Sequence, residues 1–191
     1  MSNLEINDNV TLTVRKIAIQ LRRVGWAGFW LQLTLAVVSS LIFLFALPFA
    51  STGVSNPGTG GSLLFAVGGL LILYVSTYWS FRYVLTSRRL KNPALRPRKA
   101  ETIQLVRWGL LSSILGMGSS VLGAESIGGT LLGKSLSSIA SFALFSPEAL
   151  SKIIQPLDIF IVLANTHTIT AHFIGIVGSL WLLNQLNKQG Q

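Results

Sequence analysis

The stretch 157–183, LDIFIVLANTHTITAHFIGIVGSLWLL, decides the fold of this chain. It is long enough to cross a bilayer, because about 20 apolar residues rising 1.5 Å each cover the hydrocarbon core. Asp158, Asn165 and His172 follow one another at intervals of seven, so a helix places them in one stripe that Ser179 continues. Polar groups are costly in hydrocarbon, so the stripe predicts a face turned into a bundle or a wet cavity. Two interpretations remain open, hydrogen bonding between helices and a path for ions or protons.

The whole chain has the composition of an integral membrane protein. Of its 191 residues, 50% are hydrophobic and 11% are charged, whereas a soluble domain carries about 25% charged residues. Cysteine is absent, which excludes disulfides, thiolate metal sites and a cysteine nucleophile. We interpret the net charge of +9 as a determinant of membrane topology that also attracts anionic lipid.

The hydrophobic pattern predicts an all-α integral membrane protein with four transmembrane helices in one domain. The spans are expected at about 26–50, 62–81, 105–124 and 157–183. Segment 1–25 has the apolar stripe of an amphipathic helix, which lies either on the membrane surface or packed against the bundle.

The segment between the third and fourth spans, 125–156, has a different pattern. It holds only short apolar runs on either side of Lys134, which indicates an interfacial or re-entrant piece. Ser146, Pro147 and Glu148 have the pattern of a helix start, with a capping residue, a proline and an acid in the first turn.

Positive charge is distributed unevenly along the chain. Segment 1–25 has four Lys or Arg and 82–107 has eight, whereas 51–61 has none and 125–156 has two. The positive-inside rule therefore places both termini and segment 82–107 in the cytoplasm. No aromatic residues for base stacking are interleaved in the basic middle of that segment, so we expect contacts with lipid or a partner protein and none with nucleic acid. The residues expected to make these contacts are Arg88, Arg89, Arg96, Arg98 and Lys99.

Small residues mark the third span as a packing surface. Gly109, Gly116 and Gly123 repeat every seven residues, with serine pairs beside them. Such a face allows close helix approach, and the polar stripe of the last span, which also carries Gly175, is the predicted partner. The single strongly polar residue of the first span, Gln32, is expected to form a hydrogen bond between helices. A membrane protein of this size is expected to form a homo-oligomer.

Several motifs, in the same order along the chain, resemble one known family. They are GFWLQL, YWSFRY, SILGMGSSVLGAESIGGTLLGKSL, LDIFIVLA and AHFIGIVGSLWLL. These motifs are similar to those of the permease-in-chloroplasts family, four-span proteins of the chloroplast inner envelope and of cyanobacterial membranes. The resemblance implies a four-helix membrane fold and one of two functions, iron transport or a role as a small component of the Tic protein-import translocon.

The start of the sequence, MSNLEINDN, favours the cyanobacterial branch of that family. It has acidic residues, no apolar core of a signal peptide and no resemblance to an Arg- and Ser-rich transit peptide. The expected location is therefore the cyanobacterial plasma or thylakoid membrane.

Two functions remain as alternatives. The first is a permease for iron or another divalent cation, with Asp158, His172 and Glu125 as candidate ligands, because carboxylate and imidazole suit such ions. Asp158 and His172 would lie about 21 Å apart along a helix, so they would serve as successive positions for a transported Fe²⁺ rather than hold a tightly bound cofactor. The second is a non-transporting subunit of a protein-translocation or membrane-assembly complex. The sequence lacks a phosphate loop, a metalloprotease motif and a convincing Ser-His-Asp spacing, so we do not expect an enzyme.

Overall fold

Four long helices make up the described part of the chain. A computed structural model describes residues 3–50, 59–142 and 156–188, and the side chains within 12–45, 63–137 and 156–188. The helices are α1 (Asn3–Ala50), α2 (Thr59–Leu90), α3 (Lys99–Phe142) and α4 (Pro156–Lys188). Each contains a stretch long and apolar enough to cross a membrane. The predicted all-α fold with four spans is confirmed.

Helix α1 runs without a break through the segment predicted to form an amphipathic helix. Ala18 and Leu21, on its apolar stripe, are fully buried in one cluster with Leu105, Leu182 and Leu186. Three further apolar residues of the stripe pack against that cluster, namely Val14, Ile17 and Val24. The stripe therefore faces the other helices, because burial among them removes its apolar surface from solvent. This is the packed alternative rather than a helix lying on the membrane surface.

Helix α3 continues well past its predicted end at residue 124. It remains helical to Phe142, although the sequence pattern predicts an interfacial or re-entrant piece from residue 125. The glycines of this stretch do not end the helix, since each costs only about 1 kcal/mol relative to alanine. Lys134, which divides the apolar runs, is paired with Asp158. The predicted helix start at 146–148 and residues 51–58 lie outside the described residues.

The basic segment between α2 and α3 is a short connection interrupted by prolines, as the sequence suggests. Helix α2 ends at Leu90, and a single 3-10 turn follows at Pro93–Leu95. The Asn92 side chain accepts a hydrogen bond from the Ala94 backbone N–H at 3.1 Å, which fixes this turn. The start of α3 is held by Glu101, whose carboxylate accepts from the Arg98 N–H at 3.3 Å.

The helices contribute to two compact units, each with its own core. The first unit comprises Met1–Thr34, Leu73–Ile114 and Ala171–Gln191, and the second Leu35–Ile72 and Leu115–Thr170. The core of the first is the cluster around Leu21 and Leu182. Half of the buried apolar residues of the second are alanines, in the set Ala36, Phe43, Ala66, Leu70, Ile127 and Ala164. Small side chains allow the helices of that unit to approach closely.

Gly109 and Gly123 of α3 lie against α2, while Ser113 and Ser120 of the same helix lie against Gly175 and Asn165 of α4. In the first unit, a Cβ atom on Gly109 would overlap Tyr83 and touch Trp79 at 3.3 Å. In the second unit, a Cβ atom on Gly123 would lie 2.9 Å from the Ala66 backbone nitrogen. Gly116 is also buried. The face of α3 formed by small residues therefore has α2 as a partner in addition to α4.

We predict that Gly123→Ala destabilises the protein while Gly118→Ala does not. The added methyl at Gly123 meets α2 backbone, which cannot rotate away, whereas a methyl added at Gly118 would have no atom within 4 Å to meet. Overpacking of this kind costs about 1–3 kcal/mol. Thermal unfolding of the detergent-solubilised protein should show a lower midpoint for Gly123→Ala only. Equal midpoints for the two variants would mean that α2 and α3 are not in contact at Gly123.

Candidate functional site

The polar side chains of the helices are buried, while large apolar ones are exposed. His172 and Gln32 have no exposed surface, and Asn165 is 1% exposed. In contrast, Trp30 is 57% and Leu64 is 75% exposed. This inversion suits a chain surrounded by lipid, because hydrocarbon tolerates apolar side chains and penalises polar ones. The groups capable of chemistry therefore lie inside the helix packing.

Gln32 links three helices in the first unit. Its Nε2 donates a hydrogen bond to the Ala171 carbonyl of α4 at 3.2 Å. Its Oε1 accepts a hydrogen bond from the Ser80 hydroxyl of α2 at 2.8 Å. Both ends of the amide are therefore satisfied by protein groups, which is the interhelical role expected from the sequence.

Gly175 leaves room for polar groups at the centre of the first unit. A Cβ atom there would lie 2.5 Å from Gln32 Nε2 and 2.6 Å from the Ser113 hydroxyl. His172 precedes Gly175 on α4 by three residues and is fully buried in the same unit. The imidazole of His172 is thus enclosed by protein in a unit that also carries amide and hydroxyl groups.

Further hydroxyl groups connect α2, α3 and α4 within this unit. The Ser76 hydroxyl lies 3.2 Å from that of Ser112 and accepts a hydrogen bond from Ser113 at 3.3 Å. The Tyr83 hydroxyl lies 3.1 Å from that of Ser179 and donates to the Val106 carbonyl at 3.4 Å.

Sequence reasoning missed the polar face of α2 to which these groups belong. Its signal is the spacing of Ser76, Ser80 and Tyr83 by four and three residues, which places them on one side of a helix. The aromatic residues around them hide this polar pattern, since they suggest an interfacial belt instead.

Asn165 is the central polar group of the second unit. Its Nδ2 donates a hydrogen bond to the Ser120 carbonyl of α3 at 2.9 Å. Its Oδ1 is buried and accepts no hydrogen bond from the described residues. The neighbouring Ala164 carbonyl accepts from the Ser39 hydroxyl of α1 at 2.9 Å. Asn165 thus retains one buried carbonyl oxygen that can act as an acceptor or a ligand.

Asp158 is held by an ion pair. Both of its carboxylate oxygens accept from Lys134 Nζ, at 2.9 and 2.8 Å. The side chains of Lys134 and Asp158 are only 16% and 19% exposed. A carboxylate already neutralised by an ammonium group binds a cation only if that ammonium group moves. Sequence reasoning identified Asp158 but not its partner, which lies in the segment predicted to be an interfacial piece.

The predicted metal ligands do not form one centre. Within the described side chains, no group of three or more His, Asp or Glu residues is placed to hold a metal ion. His172 belongs to the first unit, and Asp158 and Glu125 belong to the second, where Glu125 is exposed. Asp158 and His172 both lie on the continuous helix α4, about 21 Å apart along its axis, so they are separate positions.

The basic residues predicted to contact lipid or a partner are all exposed. They are Arg88, Arg89, Arg96, Arg98 and Lys99. Exposure leaves their charges open to any anionic surface nearby.

Comparison with known proteins finds relatives over nearly the whole chain. Residues 11–187 match the family described as "Protein of unknown function (DUF3611)". The chain is 34% identical over 182 residues to "Protein TIC 21, chloroplastic" from Arabidopsis thaliana. The alignment covers 93% of this chain and 60% of that relative, so the chain spans about three fifths of the curated relative's length. No solved structure matches. The family resemblance predicted from the sequence is confirmed.

We predict that Lys134 and Asp158 stabilise the protein only as a pair. Asp158→Asn or Lys134→Gln alone leaves one mostly buried charge without its partner, which costs about 3–5 kcal/mol for a fully buried pair and less here. The exchange Lys134→Asp with Asp158→Lys restores opposite charges at the same positions. Thermal unfolding in detergent should show lower midpoints for both single variants and recovery in the exchanged one. An exchanged variant no more stable than the single variants would contradict a direct pair.

Proposed function

This chain belongs to the family described as "Protein of unknown function (DUF3611)", and we propose that it is a membrane permease for iron or another divalent metal ion. It is a multi-pass membrane protein, with four helices of sufficient length and apolarity to span a bilayer. In this proposal the ion is cargo, no cofactor is tightly bound and no covalent chemistry takes place. The location proposed is a cyanobacterial plasma or thylakoid membrane, with both termini cytoplasmic.

The complete burial of His172 is the observation that carries this proposal. An ionisable residue within a membrane helix is costly and marks a functional position by default. Neutral imidazole is a good ligand for divalent iron and for related transition metals. Gln32 and Ser113 belong to the same unit and supply oxygen atoms able to replace part of an ion's hydration shell. Conduction requires such positions to be weak enough to release the ion.

Two further residues of α4, both in the second unit, are proposed as binding positions for the ion. Asn165 offers its buried Oδ1, a carbonyl oxygen of the kind that binds hard cations. At Asp158 an incoming cation competes with the Lys134 ammonium group for the carboxylate. This competition would make binding at Asp158 weak and reversible. Glu125, exposed on α3, has the least structural support as a ligand.

A second candidate function is supported by the relative's name and by the exposed basic residues. The name TIC 21 suggests a translocon association, so the chain would act as a non-transporting subunit of a translocation or assembly complex. Arg88 and Arg89 would then contact a partner, and His172 would matter only for folding. A homo-oligomer is compatible with either function.

We predict that iron uptake into liposomes depends on His172 and not on His167. His172→Gln removes the buried imidazole, whereas His167→Gln is a matched change at a half-buried histidine of the same helix. Loss of one ligand should reduce the initial rate of Fe²⁺ uptake by about tenfold, the effect of roughly 1.4 kcal/mol. Equal rates for the two variants, at equal protein content, would rule out His172 as a transport position.

A double substitution distinguishes ion binding by Asp158 from its role in the ion pair with Lys134. Lys134→Gln with Asp158→Asn removes both charges at once and leaves no unpaired ion. If Asp158 binds the cargo, this folded double variant still loses uptake.

A different pair of results would favour the second candidate function. It replaces the first if the wild-type protein shows no metal uptake under any gradient and Arg88→Ala with Arg89→Ala impairs assembly of a complex in cells.

We predict that reporter tags at Thr59 and Asn92 lie on opposite sides of the membrane, with Asn92 in the cytoplasm. The reason is the basic character of the connection at Asn92 and the absence of charge in 51–61. Protease accessibility of tags in inside-out and right-side-out vesicles distinguishes the two sides. Finding both tags on one side would contradict the four-span topology.

A further inference from the structure

A surface groove on the first turns of α3 combines one cation, one amide and apolar side chains. Its volume is about 590 Å³, and its lining residues are Ala100, Ile103, Gln104, Arg107, Trp108 and Leu111. All of them belong to the first unit and follow the three- and four-residue spacing of one helix face. The groove is distinct from the buried polar groups proposed for transport.

Arg107 is an uncompensated charge within this groove. Its side chain is exposed, and it forms no ion pair or hydrogen bond with any residue among the described side chains. The nearest acid in the sequence, Glu101, accepts a hydrogen bond from the Arg98 backbone at the start of the helix. By contrast, the guanidinium of Arg82 on α2 lies over the Tyr78 and Trp79 rings, at 5.9 and 5.7 Å from their centroids.

Apolar residues of the groove lie on both sides of its polar pair, Ala100 and Ile103 before it and Trp108 and Leu111 after it. Trp108 is 50% and Leu111 is 45% exposed, one turn or less beyond Arg107. Exposed tryptophan is typical of the boundary between lipid headgroups and hydrocarbon, because its ring is apolar and its N–H is polar. The groove thus places apolar surface directly beside its charged group, which matches an amphipathic ligand.

We propose that this groove binds one anionic phospholipid, with its phosphate on Arg107 and Gln104 and an acyl chain along Trp108 and Leu111. Guanidinium presents paired N–H donors that fit phosphate oxygens. The Gln104 amide adds a neutral donor one turn earlier on the same face. A free phosphate ion would use only Arg107 and Gln104, so the apolar surface beside them favours the lipid.

Native mass spectrometry of the detergent-solubilised full chain tests this proposal. Phosphatidylglycerol and phosphatidylcholine with the same acyl chains serve as probes, and inorganic phosphate is added as a competitor. We expect one phosphatidylglycerol per chain to bind at least fivefold more tightly than phosphatidylcholine. Inorganic phosphate, added at the same molar excess as the lipid, should not displace the bound phosphatidylglycerol.

Two variants that each lose one positive charge distinguish binding at this groove from a general electrostatic attraction of lipid to the protein. Arg107→Gln should weaken phosphatidylglycerol binding by about tenfold, the effect of losing one charge-assisted contact. Arg22→Gln, at an exposed arginine of α1, should change it less than twofold. Trp108→Leu, which keeps all charges, should weaken binding of the lipid by roughly threefold, the effect of lost aromatic contact.

Three results would overturn the proposal. Equal losses for Arg107→Gln and Arg22→Gln would indicate a diffuse electrostatic attraction. Displacement of the lipid by inorganic phosphate would indicate a free-anion site, and equal binding of both lipids would indicate apolar contact alone. If Arg107→Gln does not fold, Gln104→Leu and Trp108→Leu test the proposal instead. Unchanged phosphatidylglycerol binding in both variants would exclude the groove as the lipid site.

Discussion

Hydrogen bonds from side chains to the backbone carbonyls of neighbouring helices hold this protein together. Gln32, Ser39 and Asn165 each donate to a carbonyl on another helix. A helical carbonyl already accepts one bond within its own helix and has a second lone pair to offer. A short side chain reaches this second lone pair only where the two helices approach closely. Glycine, alanine and serine at the contacts provide that approach, so the small residues and the polar residues depend on each other.

The two units offer different ligand chemistry to a cation. The first contains a buried imidazole, an amide and several hydroxyl groups, with nitrogen supplied by His172. The second contains oxygen groups, the Asn165 carbonyl and the Asp158 carboxylate. Nitrogen ligands favour transition metals, whereas oxygen ligands also accept magnesium, calcium and manganese. Any selectivity for iron would therefore arise in the first unit.

The sequence is sufficient to predict the number of helices and the polar residues that they bury. Apolar length alone identifies the four spans, and the seven-residue spacing of Asn165 and His172 places both side chains inside. The helix ends are harder to predict, because α3 continues through glycines and through Lys134, whose partner is distant in the sequence. The packing of Gly109 and Gly123 against α2 is also not predictable from the sequence, since small residues indicate close packing without specifying the facing helix. The polar residues of α2 are hard to recognise because aromatic residues lie among them. Periodicity alone does not show which of these residues face the other helices.

The ion pair between Lys134 and Asp158 has a consequence for biogenesis. Each charge resists insertion into hydrocarbon, by about 2.5–3.5 kcal/mol at the centre of an isolated helix and less near its ends. Lys134 precedes Asp158 in the chain, so during synthesis α3 emerges before α4 and already carries the counter-ion. The last helix then enters a membrane in which its charge is neutralised on arrival. A circular permutation that placed α4 first would exchange these roles, since Asp158 would then enter without a counter-ion and Lys134 would be the charge neutralised on arrival.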